Sequence, residues 1–163
     1  MSAANRFATT PEDLTDPDAL AAVSGLEFIE GIRTGRYAAP PIAKFAGMTL
    51  VEVGEGRVVF EGVPAFDHLN PMGGVHGGWY GIMLDSALSC AVQTRLPAGQ
   101  AYTTLDYSVR MLRAVPLGAP VRAVGEAVRV GRRTGISEGR ILDAEGRVCA
   151  TGSAACLIFE IGG

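Results

Sequence analysis

The chain has 163 residues, a formal net charge of −3, 48% hydrophobic residues and 19% charged ones. That fits one globular domain with a real core and excludes a disordered chain. Without bulk positive charge, neither nucleic acid nor an anionic membrane is indicated as a partner.

Residues 1–15 read as a frayed tail, and MSAANRFATTPEDLTD carries no apolar leader core. Asp16 followed by Pro17 is a helix start, a capping acid before proline at the first helical position. Leu20, Val23, Ile29 and Ile32 recur at roughly helical spacing, so a helix is predicted over 16–35, although Gly25 and Gly31 weaken it. YAAPP cannot continue it. MTLVEV and RVVFEGV, joined by Gly54-Glu55-Gly56, read as a β-hairpin. PAFDHLNPMGG is loop-like. Residues 76–95 form the central helix candidate, ended by LPAG.

TTLDYSVRML alternates, with Leu105, Tyr107, Val109 and Met111 on one face and Asp106, Ser108 and Arg110 on the other. PLGAP then turns the chain into three further strands, VRAVGEAVRV, ISEGRIL and RVCATGSAACLIFEI. Short turns between successive strands predict an antiparallel meander. A helix apolar almost all round must be covered on most sides. An α+β fold with a curved antiparallel sheet wrapped round that helix meets this need. Open sheet edges suggest further cover by a second copy.

No run is long enough to span a bilayer, and Cys90, Cys149 and Cys156 form no CxxC, so a reduced, cytoplasmic protein is expected. His68 and His76 are the only histidines and no ligand cluster surrounds them, so no metal site is expected. GGVHGG lacks the Lys-Ser/Thr of a phosphate loop.

The chemistry concentrates in NPMGGVHGGWYGIMLDSALS, residues 70–89. At about 100° per residue, Gly78, Gly81, Asp85 and Ser89 share one helix face, a small-residue stripe carrying one acid and one hydroxyl. Such a stripe leaves room for a group from outside the chain. The first helical N–H groups lack internal partners and favour negative charge. Gly77 and Gly78 would let a carbonyl oxygen approach those groups, with Asn70 and His76 flanking as hydrogen-bond donors. Each feature also has a plainer reading: Asp85 held by backbone or Ser89, His76 satisfied structurally, the glycines in tight turns, and Arg132 and Arg133 on a solvated hairpin.

NPMGGVHGGWYGIMLD resembles the N-x-x-G-x-x-H-G-G-x-x-x-x-L-x-D signature of hotdog-fold acyl-CoA thioesterases, in the branch named after phenylacetate degradation. PPIAKFAGMTLVEVGEGRVVFEG, TTLDYSVRMLRAVPLG and VGRRTGISEGRILDAEGRVCATGSA extend the resemblance over most of the chain after Gly35. It implies a hotdog fold, a homodimer with active sites between subunits, and pairing of dimers into a tetramer. It also implies that Asp85 is the catalytic acid, Asn70 the polar group before the histidine, Gly77 the oxyanion N–H, and Ser89 a holder of water or acid. Arg113, Arg132 and Arg133 match basic positions that contact the CoA nucleotide. Coenzyme A would be part of the substrate, with no separate cofactor.

The expected reaction is hydrolysis of an acyl-CoA, Asp85 acting as base or nucleophile, with the acyl group left open. Trp79, Tyr80 and Met83 mark an apolar neighbourhood for it. Two alternatives share the fold: an enoyl-thioester hydratase or dehydratase recruiting His68 with Asp85, and a non-catalytic acyl-CoA sensor.

Overall fold

A computed structural model describes residues 6–162. Among these residues the order is α1 (Pro17–Ala21), α2 (Gly25–Arg33), α3 (Pro41–Phe45), β1 (Met48–Gly54), β2 (Arg57–Gly62), α4 (Gly77–Gln93), β3 (Gln100–Met111), β4 (Val121–Val130), β5 (Thr134–Leu142) and β6 (Val148–Glu160).

The central helix dictates the rest. Met83, Leu84, Ala87, Leu88, Ala91 and Val92 are fully buried and occupy about half of its circumference at ~100° per residue. A six-stranded antiparallel sheet wraps it, and α4 packs against five of the six strands. This is the α+β hotdog architecture, with extra helices at the N-terminal side. The strand closest to the helix needs a residue without a side chain: a Cβ on Gly125 would lie 2.0 Å from the carbonyl oxygen of Ala87.

The strand order is β1-β2-β4-β5-β6-β3, which corrects the expected meander. Only β4, β5 and β6 run as one. The segment holding PLGAP is no hairpin turn; it carries the chain from β3, at the far edge beside β6, back to β4 beside β2. That crossing is tied down where the Val115 N–H donates to the Tyr80 hydroxyl at 2.9 Å and the Gly118 N–H to the Pro64 carbonyl at 2.9 Å.

The N-terminal expectations also change. Residues 1–5 lie outside the described residues. Residues 6–15 are not frayed: the Ala8 N–H donates to the Ala39 carbonyl at 2.8 Å, the Ala39 N–H donates to the Arg6 carbonyl at 2.7 Å, and Ala8 is buried. Asp13 gathers this segment by accepting from the Thr9 and Thr10 amides and the Thr9 hydroxyl. The helix expected over 16–35 is two helices. Asp16 caps the first as anticipated. Ser24 then starts a second: its hydroxyl accepts from the Glu27 N–H, while the Glu27 carboxylate accepts from the Ser24 N–H at 2.9 Å. Gly25 is what lets α2 seat on the end of α4, since a Cβ there would lie 1.8 Å from the Gln93 carbonyl oxygen.

Candidate active site

Asp85 is half-buried midway along α4, on the wall of a cavity of about 440 Å³. The opposite wall is apolar, with Phe28, Ile29 and Ile32 from α2, Leu50 from β1 and Phe60 from β2. The cavity therefore lies inside one chain, between the central helix and the N-terminal helices. Trp79, Tyr80 and Met83 do not line it. They are buried in the core instead, and the Trp79 indole N–H is used up on the Ala46 carbonyl at 2.9 Å.

The Asp85 carboxylate is held from β3. Its Oδ1 accepts from the Thr104 hydroxyl at 3.0 Å, and Oδ2 has no protein donor among the described residues. The sequence reading missed Thr104 for a specific reason. The register between β3 and β6 shifts between Thr104 and Asp106, a β-bulge. Strict alternation groups Thr104 with Asp106 and Ser108, on the face away from Tyr107. The bulge instead puts Tyr102 and Thr104 on the helix side together with Tyr107 and Met111.

Ser89 does not hold the carboxylate. Its hydroxyl donates to the main-chain carbonyl of Asp85 at 2.5 Å and accepts from the Tyr102 hydroxyl at 3.0 Å. Burial pushes the Tyr102 phenol well above its usual range, so it keeps the proton it donates. Burial likewise pushes the Cys90 thiol up to about 12 and Cys156 to about 11, so neither is a thiolate near neutrality.

The glycine stripe does not keep a space empty. A Cβ on Gly81 would lie 3.1 Å from the Tyr107 hydroxyl, one on Gly77 3.2 Å from the Met111 sulfur, and one on Gly78 3.0 Å from His76 Nδ1. Gly77 and Gly81 admit the chain's own β3 side chains, because that strand crosses close over the helix, and Gly78 admits the capping His76 ring. Gly78 and Gly81 accordingly lie off the cavity that Asp85 lines.

At the helix start, His76 is the N-cap and its Nδ1 accepts from the Gly78 N–H at 2.8 Å. That consumes the Gly78 N–H, while the Gly77 N–H has no acceptor among the described residues. Asn70 Oδ1 folds its own turn, accepting from the Met72 N–H at 2.9 Å and the Gly74 N–H at 3.1 Å, so Nδ2 is the part left to donate. Gly77 and Asp85 are eight residues apart in one helix, ~12 Å along its axis at the usual rise. One carbonyl cannot meet both within a single chain.

The basic residues divide in the same way. Arg113 follows the end of β3 that lies over Gly77, whereas Arg132 and Arg133 sit on the β4–β5 hairpin, next to Gly135, which packs on Val92 near the other end of α4. All three are exposed. His68 is buried and spent on backbone: Nδ1 accepts from the Ala65 N–H at 2.8 Å, and Nε2 faces the Phe45 carbonyl at 2.5 Å. It is absent from the Asp85 cavity, which removes it as a partner acid or base. Among the described residues no cluster of His, Cys, Asp or Glu could hold a metal ion, and no helix is long and apolar enough to cross a membrane.

Residues 72–150, from just after Asn70 through Asp85 and most of the sheet, match the thioesterase superfamily. The match spans 79 of the chain's 163 residues. Solved structures of proteins named as thioesterases share the fold. A putative thioesterase related to phenylacetic acid degradation from Ralstonia eutropha is 27% identical over 80% of this chain and 98% of its own, with a TM-score of 0.73. The phenylacetic acid degradation protein PaaI of Thermus thermophilus, solved as a mutant, is 27% identical over 72% of this chain and 97% of its own, with a TM-score of 0.66. A hypothetical thioesterase from Streptococcus pneumoniae, solved with coenzyme A, is 25% identical over 74% of this chain and 91% of its own, with a TM-score of 0.67. No curated protein matches this chain.

Proposed function

We propose that this chain hydrolyses an acyl-CoA thioester at a site completed by two copies, Asp85 of one copy facing the Gly77 N–H of the other. The observation that carries this reading is the Thr104-held Asp85 on an apolar cavity, with the free Gly77 N–H ~12 Å away on the same helix. The β3 edge supports it. Among the described residues this strand has no neighbour on its outer side, and Leu105 and Met111 are 58% and 55% exposed along it. Antiparallel pairing of two such edges about a two-fold axis near Tyr107–Ser108 would set Thr104 of one strand opposite Met111 of the other. Asp85 lies under the first and Gly77 under the second. The Asn70 loop displays Phe66 and Met72 nearby, which a second copy would cover.

In that arrangement the thioester oxygen accepts from the Gly77 N–H at the positive end of α4, with Asn70 Nδ2 beside it. Asp85 removes a proton from water as the water oxygen bonds to the carbonyl carbon. The tetrahedral species collapses, the C–S bond breaks, and the CoA sulfur leaves with a proton. Direct attack by the carboxylate, giving a mixed anhydride that water then opens, uses the same groups. Arg113, Arg132 and Arg133 would hold the phosphates of the nucleotide. The coenzyme A in the pneumococcal structure supports this class of substrate.

The test is complementation. Asp85→Asn removes the base. Gly77→Pro removes the amide hydrogen at a position whose backbone accepts proline, since it is the first helical residue and His76 before it is extended. The added ring needs the flexible end of Met111, 3.2 Å from a Cβ there, to shift by a few tenths of an ångström. Each variant alone should lose acyl-CoA thiol release, by roughly 10²–10³ for the lost oxyanion donor. Unfolding and refolding the two together should restore about a quarter of the wild-type rate, since half the dimers are mixed and each has one intact site. A mixture as inactive as its parents would show that the site is not shared. An Asp85→Asn protein as fast as wild type would remove the hydrolase mechanism.

A further inference from the structure

The cavity beside Asp85 has a second polar feature at its far end. Gln93, the last residue of α4, lines the same cavity and is only 3% exposed. Its main-chain carbonyl accepts from the Leu96 N–H at 2.9 Å, but its side-chain amide has no hydrogen-bond partner among the described residues. Among the described residues only the Ser137 hydroxyl is a fully buried side-chain polar atom without a partner. The Gln93 amide is therefore not sealed away but open to the cavity, free to bond to what enters it. The neighbouring polar groups are occupied: Tyr102 donates to Ser89 and Ser89 to the Asp85 carbonyl. Leu20, Phe28 and Ile32 line the same cavity, whose lining is mostly apolar but also includes Thr15, Thr49 and Ser86.

Asp85 and Gln93 stand eight residues apart on one helix, ~12 Å along the axis. A chain whose carbonyl is at Asp85 must run two helical turns through apolar surroundings before it meets the amide. A short acyl group stops before Gln93. A plain hydrocarbon long enough to reach it would bury the amide against methylenes.

Building on the thioesterase reading, we infer that the preferred acyl group is of medium chain length and carries an oxygen function, a hydroxyl or a ketone, near its distal end, read by the Gln93 side chain. The amide both donates and accepts, so it satisfies either group. The hydrophobic wall supplies binding and the one polar contact supplies discrimination.

The experiment compares octanoyl-CoA with its terminally hydroxylated counterpart, and uses acetyl-CoA as a chain too short to touch Gln93. Thiol release is followed for the wild type and for Gln93→Leu, which keeps the side-chain volume and sacrifices no protein hydrogen bond. In parallel, the two free C8 acids are titrated into wild-type protein by calorimetry, which needs neither turnover nor a variant. The wild type should favour the hydroxylated ester by about tenfold in kcat/KM, and Gln93→Leu should abolish or invert that preference without changing the acetyl-CoA rate. The hydroxylated acid should likewise bind about tenfold more tightly than octanoic acid. Equal kcat/KM for the two esters in the wild type, with thiol release intact, would overturn the role of Gln93 and leave the hydrolase reading standing. No thiol release from any ester, together with tighter binding of the hydroxylated acid, would overturn the hydrolase reading and sustain the role of Gln93. Equal binding of the two acids would overturn that role.

Discussion

At the scale of single residues, the candidate site depends on which hydrogen bonds are already spent. Four residues singled out by sequence do local work: His76 caps α4, Ser89 bonds to the Asp85 main chain, and Gly78 and Gly81 make room for His76 and Tyr107. What remains for a ligand is the Asp85 carboxylate, the Gly77 N–H and Asn70 Nδ2. The residue that aims the acid is Thr104, whose hydroxyl donates to Oδ1 at 3.0 Å. Hydrogen bonds to charged groups contribute about 1.5–3 kcal/mol, so Thr104→Val should lower kcat by roughly ten- to a hundredfold. Because Thr104 orients the acid rather than binding the acyl chain, KM should stay within about twofold. Thr104→Ser keeps the hydroxyl and should recover most of the rate. A Val variant that loses KM instead, or a Ser variant as slow as Val, would show that Thr104 acts through packing. Asp85 was legible from the sequence because a lone acid in an apolar helix stands out. Thr104 was not, because one bulged residue reverses the face of every position before it, and periodicity alone gives no sign of the bulge.

At the scale of elements, the strands and α4 were legible because each carries a hydrophobic period bounded by Gly or Pro. The strand order was not, since PLGAP looks the same whether it closes a hairpin or begins a crossing. The N-terminal segment was the other blind spot. Its residues are polar and turn-like in sequence, yet Phe7, Leu14 and Thr15 become part of the cavity wall. Asp13 holds them there. The Thr9 N–H first, then the Thr9 hydroxyl and the Thr10 N–H, lower its carboxyl to about 2 from an ordinary 3.8. A carboxylate depressed on folding stabilises the folded segment above its unfolded value, and that contribution fades as pH falls from about 4 through about 2. The Phe7–Ala39 bridge should therefore open in acid before the sheet does. Hydrogen exchange at the Ala8 and Ala39 amides, taken at about pH 5 and about pH 2.5, should show protection lost at the lower value while β4 and β5 amides stay protected. Asp13→Asn should expose the same amides at both values. Exchange that is independent of pH in the wild type would mean that the apolar contacts alone hold the segment.

For the molecule as a whole, the outer surface is unevenly prepared for contact. Glu52 pairs with both Arg57 and Arg122, and Arg57 also reaches Glu126, so this part of the sheet carries a solvated ladder of exposed charges. Such pairs are worth little individually, but they make a poor surface to bury. The β3 edge has the opposite character, twelve residues long with no outer neighbour among the described residues and with exposed Leu105, Tyr107 and Met111. An edge of that kind either pairs or aggregates. If it is where two copies meet, replacing Leu105 and Met111 together by lysine should give a folded monomer, since both side chains are already largely exposed in the single chain. Sedimentation should then report half the wild-type mass with an unchanged circular dichroism spectrum, and thiol release from acyl-CoA should fall with the mass. The monomer should still bind a medium-chain acid, because the cavity beside Asp85 is walled by one chain alone. A double-lysine protein that keeps the wild-type mass and rate would move the subunit contact elsewhere. One that is monomeric and fully active would mean that a single chain supplies its own oxyanion donor, against the spacing of Gly77 and Asp85.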